Sequence, residues 1–121
     1  MSILSELNAV LAAAEIPIET GVFSGVPPDE YIVITPMNDT FVVYADNQPL
    51  HEIQEARLSL FMKGSYTSSK NQIVKALLIN DFTITDRRYI GHEDDTGFHH
   101  YAIDVSKEYD LEENLIWQQS D

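Results

Sequence analysis

The sequence predicts one α+β domain, with two helices packed on a mainly antiparallel sheet of about five strands in the order α-β-β-β-α-β-β. Three observations support this fold class. The chain has 121 residues, a length that suits one domain. Two segments repeat apolar residues at helical spacing, and several short runs are rich in β-branched residues. A hydrophobic fraction of 44% is ordinary for a chain that folds around a core.

The first helix is predicted over residues 2–15. Ser2 can cap it, and Glu6 lies in the first turn, where the helix dipole favours a carboxylate. Pro17 ends it, because the residue before a proline is pushed out of the α region. Its buried stripe consists of Ile3, Leu4, Leu7, Val10, Leu11 and Ala14.

A loop at residues 20–30 leads to strands predicted at residues 31–35 and 41–45. Pro36 ends the first of these or places it at an edge, Asn38 and Asp39 form a turn, and residues 46–49 form the next loop. A long strand with one buried face is predicted over residues 51–62, because apolar or long side chains recur at every second position: Gln54, Ala56, Leu58, Leu60 and Met62.

The second helix is predicted over residues 67–79, with Lys70 and Lys75 in solvent and a buried stripe of Ile73, Val74, Leu77 and Leu78. Two strands follow at residues 82–90 and 98–105. The glycines at the ends of residues 91–97 favour a hairpin loop between them. We expect the domain to occupy residues 1–105 and an acidic C-terminal arm to occupy residues 106–121.

The charge of the chain is strongly acidic, with 7 basic and 20 acidic residues and a formal net charge of -13. Such a chain repels nucleic acids and anionic membranes, so sequence-specific nucleic-acid binding is not expected. The absence of cysteine excludes disulfides, zinc–thiolate sites and cysteine nucleophiles. No membrane span or secretory leader is recognisable, which predicts a protein made in a cytoplasm.

The densest group of chemically active residues is a run around the predicted hairpin: His92, Glu93, Asp94, Asp95, His99 and His100. Carboxylates and imidazoles together can bind a divalent metal. However, His99 and His100 are neighbours in a strand and point to opposite faces. The run also lacks the ligand pattern of a calcium loop. A solvated hairpin tip is the simpler interpretation, and no nucleophile elbow, phosphate loop or dinucleotide motif is present. We therefore expect no metal site, cofactor or catalytic residue.

Two features suggest contacts with other subunits. Arg87 and Arg88 lie in a predicted strand and point to opposite faces, so one can pair with an acid of its own sheet while the other reaches a neighbour. Trp117 is the only tryptophan and lies in the acidic arm. It can fold back on its own domain or anchor the arm on a partner, since tryptophan is enriched at binding hot spots.

The order of segments resembles a known family. A short helix beginning Ser-Ile-Leu-Ser-Glu-Leu at residues 2–7 precedes a proline and a glycine-containing loop. Tyr-Ile-Val-Ile-Thr at 31–35 and Phe-Val-Val-Tyr-Ala-Asp-Asn-Gln-Pro-Leu at 41–50 follow. A strand ending Arg-Leu-Ser-Leu-Phe at 57–61 and a helix at 71–78 then lead to Asp-Phe-Thr at 81–83. Over residues 2–105 the chain resembles the tail terminator, or tail-completion, proteins of long-tailed bacteriophages and related prophages.

The resemblance implies an α+β fold and a hexameric ring on the end of the tail tube, at the head–tail junction of the virion. It implies the tail tube protein and a head-completion or connector protein as partners, and it carries no catalytic residues. From the charge we add the hypothesis that the acidic hairpin, with Glu93, Asp94 and Asp95, or the C-terminal arm lines the DNA channel. Repulsion there would keep the passing genome from sticking.

Two other classes of function remain open from the sequence. One is an acidic protein-binding module, such as an inhibitor that mimics DNA, although the acids before residue 91 are scattered. The other is a metal-dependent hydrolase that uses the region between His92 and His100.

Overall fold

The computed structural model describes residues 2–13, 18–20, 29–43, 49–64 and 67–110. Two helices and five strands are found there, and a single sheet joins all the strands in the order β1-β2-β3-β5-β4. Their bounds are α1 Ile3–Ala12, β1 Ile18–Thr20, β2 Glu30–Val43, β3 Pro49–Lys63, α2 Thr67–Ile79, β4 Thr83–His92 and β5 Phe98–Asp110.

The predicted α+β class is confirmed, with two helices and a mainly antiparallel sheet. The predicted strand count is wrong for the antiparallel part, which has four strands, β2 to β5, instead of about five. The remaining strand, β1, has three residues and pairs in parallel with Ile32–Ile34 of β2. It lies partly in the expected loop at residues 20–30, of which 21–28 lie outside the described residues.

The difference in strand count arises in β2, where two predicted strands are one. The expected turn at Asn38 and Asp39 is a β-bulge: the pairing shifts between Pro36, which faces Ala56, and Asp39, which faces Gln54. Pro36 is tolerated because β1 pairs with β2 only up to Ile34, so among the described residues the proline lies on an edge that needs no N–H donor.

The buried row predicted for β3 is confirmed, since Gln54, Ala56, Leu58, Leu60 and Met62 are all at most 8% exposed. These residues form the floor of the core. The helices cover them with Ile3, Leu7 and Leu11 from α1 and Ile73 and Leu77 from α2. The buried stripe of α2 is narrower than predicted. Val74 is only partly buried, and Leu78 is 56% exposed because it lies about 100° around the helix from Leu77.

The predicted cap of α1 is confirmed, because the Ser2 hydroxyl accepts a hydrogen bond from the backbone N–H of Ser5 at 3.2 Å. The helix ends at Ala12, earlier than the predicted residue 15. Residues 14–17, which include Pro17, lie outside the described residues. The loop predicted at 46–49 is also mostly outside them, and its last residue, Pro49, already belongs to β3.

Strand β5 continues five residues past the expected end at Val105. Tyr109 is 7% exposed and belongs to the core, and Lys107 is ion-paired with Glu6 of α1. The expected boundary between residues 105 and 106 therefore falls inside a strand, and residues 106–110 belong to the sheet. Residues 111–121, including Trp117, lie outside the described residues.

Candidate interaction surfaces

Both helices pack on the same face of the sheet. The opposite face, here called the open face, is formed by the alternate residues of the same strands, and no described helix packs on it. Register brings side chains from three strands together on it: Tyr31 of β2 is opposite Phe61 of β3, which is opposite His100 of β5. A half-covered antiparallel sheet normally has a polar outer face. The aromatic residues on the open face therefore differ from that usual polar surface.

The three rings form a stack on the open face. The centroids of Tyr31 and Phe61 are 4.9 Å apart, and those of Phe61 and His100 are 4.3 Å apart. Phe98 meets the rings of Tyr31 and Phe61 edge-on, at 5.4 and 6.5 Å, and Lys63 places its ammonium 5.0 Å from the Phe98 ring centre. Offset-stacked and edge-to-face geometries are the favourable arrangements for aromatic pairs. The cluster is therefore an ordered apolar patch.

His100 is the polar member of this stack. Its Nε2 atom is buried and makes no hydrogen bond within the described part of the chain. Burial lowers the pKa of His100, the charge of Glu93 opposes that shift, and the charge of Arg57 adds to it. The ring therefore favours its neutral form and acts as an aromatic surface.

Beside the aromatic stack, the open face carries a two-pronged ion pair. Arg57 donates from Nε to Asp104 Oδ1 at 2.7 Å and from Nη2 to Asp104 Oδ2 at 3.1 Å. The Asp104 side chain is only 14% exposed, and its hydrogen bond and charge raise the pKa of the Arg57 guanidinium. Such fork-to-fork pairs are stronger and more directional than ordinary surface pairs. Arg57 and Asp104 thus fix β3 to β5 on this face.

The second surface is the exposed margin of β4, the last strand of the sheet. We call Arg87, Arg88, Tyr89 and Ile90 the β4 edge. All four are exposed, and Tyr89 and Ile90 retain 44% and 48% of their accessible surface. Exposed strand edges present unpaired backbone groups to a partner.

The two arginines of the β4 edge point to opposite faces, as predicted. Arg87 is opposite Ile103 of the core side, and Arg88 is opposite Ala102 of the open face. Arg88 pairs with Asp86 at 2.9 Å, which confirms that one arginine pairs within its own sheet. The Arg87 side chain makes no ion pair with any described residue. A contact of either arginine with another subunit stays a prediction.

The hairpin between β4 and β5 carries the predicted acidic tip. The Glu93 backbone N–H donates to Phe98 O at 2.8 Å, and Gly97 adopts a φ of +81° that favours glycine. Glu93, Asp94 and Asp95 are all exposed and line an open depression with Thr96. That exposure fits a solvated tip, and their role as lining of a DNA channel stays a prediction.

Only two of the three histidines around the acidic hairpin, His92 and His99, lie close together. His99 lies near His92, with ring centres 4.6 Å apart, and its Nδ1 is 2.8 Å from the Tyr89 hydroxyl. His100 lies on the other side of the sheet against Phe61. Within the residues that the structure describes, no three His, Asp or Glu side chains are placed to hold a metal ion. The described residues therefore form no metal centre that a metal-dependent hydrolase would need.

No protein-family model matches this chain. A search of curated proteins also finds no match. In the described part of the chain, neither α1 nor α2 is long and apolar enough to cross a membrane. The resemblance to tail terminators therefore depends on the order of segments in the sequence.

The open face is the surface that sequence reasoning missed. A signal for it was present in β3, where Phe61 and Arg57 occupy the side of the strand opposite the buried row. The spacing within one strand does not show that Phe61 meets Tyr31 and Phe98. Only the pairing of β3 with β2 and β5 places these rings together on the open face.

Proposed function

We propose that this chain is a structural subunit that caps the tail tube of a long-tailed bacteriophage as a hexameric ring and joins the tail to the head. The observation that carries the proposal is the β4 edge. An otherwise strongly acidic chain concentrates two of its seven basic residues and two exposed apolar side chains on one strand at the margin of the sheet. Subunits that assemble head-to-tail into a ring need such a surface.

The open face supports the same proposal. Tyr31, Phe61 and His100 form an ordered apolar patch beside the ion pair of Arg57 and Asp104. A patch of aromatic rings with an adjacent arginine has the composition enriched at protein interfaces. In a ring with different neighbours above and below, we infer that this face meets the tail tube protein or the head-completion protein.

The charge distribution supports the hypothesis of an acidic channel. From Gly91 to the C-terminus the chain has nine acids and one base, Lys107. Glu93, Asp94 and Asp95 concentrate this charge at one exposed hairpin. A lumen with such a potential repels the DNA backbone. Orientation of the hairpin away from the axis of an assembled ring would rule out this part of the proposal.

The proposal is tested by deleting the gene from the phage or prophage that carries it. A tail terminator mutant is expected to release heads without tails and tubes of uncontrolled length, seen by electron microscopy. A plasmid copy should restore normal particles, and gold-labelled antibody should then mark the head–tail junction. Particles of normal form that lack the protein by mass spectrometry would reject the virion role and favour the acidic binding module.

A further inference from the structure

The β4 edge and the C-terminal segment carry complementary patterns. The edge reads Arg-Arg-Tyr-Ile at residues 87–90, and the segment reads Glu-Glu-Asn-Leu-Ile-Trp at residues 112–117. We propose that residues 111–117 of one copy pair along the outer edge of β4 in a neighbouring copy. This inference rests on the self-assembly proposed above and names the segment that occupies the edge.

The edge offers both backbone and side-chain contacts to an added strand. β4 pairs with β5 on one side only, so within the described residues every outward N–H and C=O of β4 lacks a strand partner. Extended peptides bind such edges through main-chain hydrogen bonds, and alternate side chains supply the specificity. Apolar side chains of the added strand can then pack on the exposed surfaces of Tyr89 and Ile90.

Charge complementarity identifies the occupant. Arg87 and Arg88 project to opposite faces of the sheet, and Glu112 and Glu113 alternate in the same way in an extended segment. Each arginine thus meets one glutamate on its own face. The existing pair of Arg88 with Asp86 is no obstacle, because its side chains are 54% and 45% exposed and such pairs contribute little.

The order of residues favours a parallel direction for the added strand. In a parallel register that sets Glu112 beside Arg87, Leu115 comes beside Ile90, so charged residues meet charged ones and apolar meet apolar. In an antiparallel register the same acids still reach the arginines, but Leu115 and Trp117 then lie beside the polar start of β4 near Thr83 and Thr85.

The length of the chain makes this a contact between copies. Arg87 is level with Ile103, seven residues before Asp110, which corresponds to about 23 Å along the sheet. Glu112 is two residues beyond Asp110 and reaches at most about 7 Å. The acidic pair cannot reach the arginines of its own chain, so it must engage those of a neighbour. Such a contact joins two different surfaces of neighbouring copies, and repetition of it around one axis closes a ring.

One added strand of this size binds weakly in solution, and a ring makes several such contacts at once. The test must therefore detect weak association. Because the chain has no cysteine, Ser120→Cys gives a single site for a nitroxide label. Two full-length chains are mixed at high concentration. One carries the nitroxide and no nitrogen-15, and the other carries nitrogen-15 and no nitroxide. Proton–nitrogen spectra then report only contacts between copies.

We expect the label to remove most of the amide signal at the hairpin end of β4, near Gly91 and His92, since a parallel strand places Ser120 beyond that end. Loss of signal near Thr83 would instead reveal the antiparallel direction and overturn the register. Charge reversal of both arginines, Arg87→Glu with Arg88→Glu, in the nitrogen-15 chain should restore the amide signals. Charge reversal of the two glutamates as well, Glu112→Arg with Glu113→Arg in the nitroxide chain, should remove the signals again.

An unchanged β4 at high concentration would overturn the proposal, as would broadening that survives the arginine reversal. These outcomes are independent of the virion test. If the contact forms in solution but the protein is absent from phage particles, the contact stands and the tail role is rejected. If the protein is present at the head–tail junction but its β4 signals never change, the tail role stands and the contact is rejected.

Discussion

The side-chain oxygen of Gln54 accepts a hydrogen bond from the backbone N–H of Ile3 at 2.7 Å, across 51 positions of the chain. The first amides of a helix have no partner within the helix, so Gln54 satisfies one of them at the start of α1. Gln54 is 8% exposed and occupies a position in β3 whose neighbours in the buried row are apolar. This bond explains why a polar residue is found there.

Replacing Gln54 with leucine should destabilise the protein by about 1–3 kcal/mol, because the Ile3 amide is left buried without an acceptor. Urea unfolding followed by circular dichroism measures the change. The matched control is Gln72→Leu at an exposed position of α2, which should have little effect. Equal stability of the two variants would contradict the anchoring role of Gln54.

Truncation should separate the end of the fold from the C-terminal segment. A chain ending at Asp110 keeps all of β5 and should fold, whereas a chain ending at Val105 loses Tyr109 from the core and the Lys107–Glu6 ion pair. Tyr109 also donates from its hydroxyl to Glu6 at 2.8 Å, so α1 loses both partners of that carboxylate. Cooperative thermal unfolding should persist in the first chain only. A folded chain ending at Val105 would contradict this boundary.

The ion pair of Arg57 and Asp104 should show measurable coupling. A double-mutant cycle with Arg57→Met and Asp104→Asn is expected to give a coupling energy of about 1–3 kcal/mol, because both hydrogen bonds are charge-assisted and Asp104 is largely buried. The control cycle on Arg88 and Asp86, both about half exposed, should give less than about 1 kcal/mol. Similar values for the two pairs would refute the distinction.

His100 should make the protein less stable in mild acid. Burial holds its pKa below the ordinary value of 6.5, so the unfolded chain takes up the proton first. As the pH falls through 6.5 the stability decreases, until the folded ring is itself protonated. The variant His100→Phe should weaken this loss in urea unfolding between pH 7.5 and about 5. The control His92→Phe, at an exposed position, should retain it.

The sequence determined the elements that depend on local pattern. The Ser2 cap, the start and end of α2 and the alternating burial of β3 were all readable, because helical and strand periodicities are properties of neighbouring residues. The acidic hairpin between β4 and β5 was readable for the same reason.

The features that depend on pairing across the sheet became visible only in the folded structure, which shows three of them. It merged two predicted strands into β2, because a bulge and an edge position let Pro36 remain in a strand. It extended β5 to Asp110, because Glu6 lies within reach of Lys107 and Tyr109. It gathered Tyr31, Phe61 and His100 on one face, because register fixes which side chains meet across strands and the spacing within one strand does not.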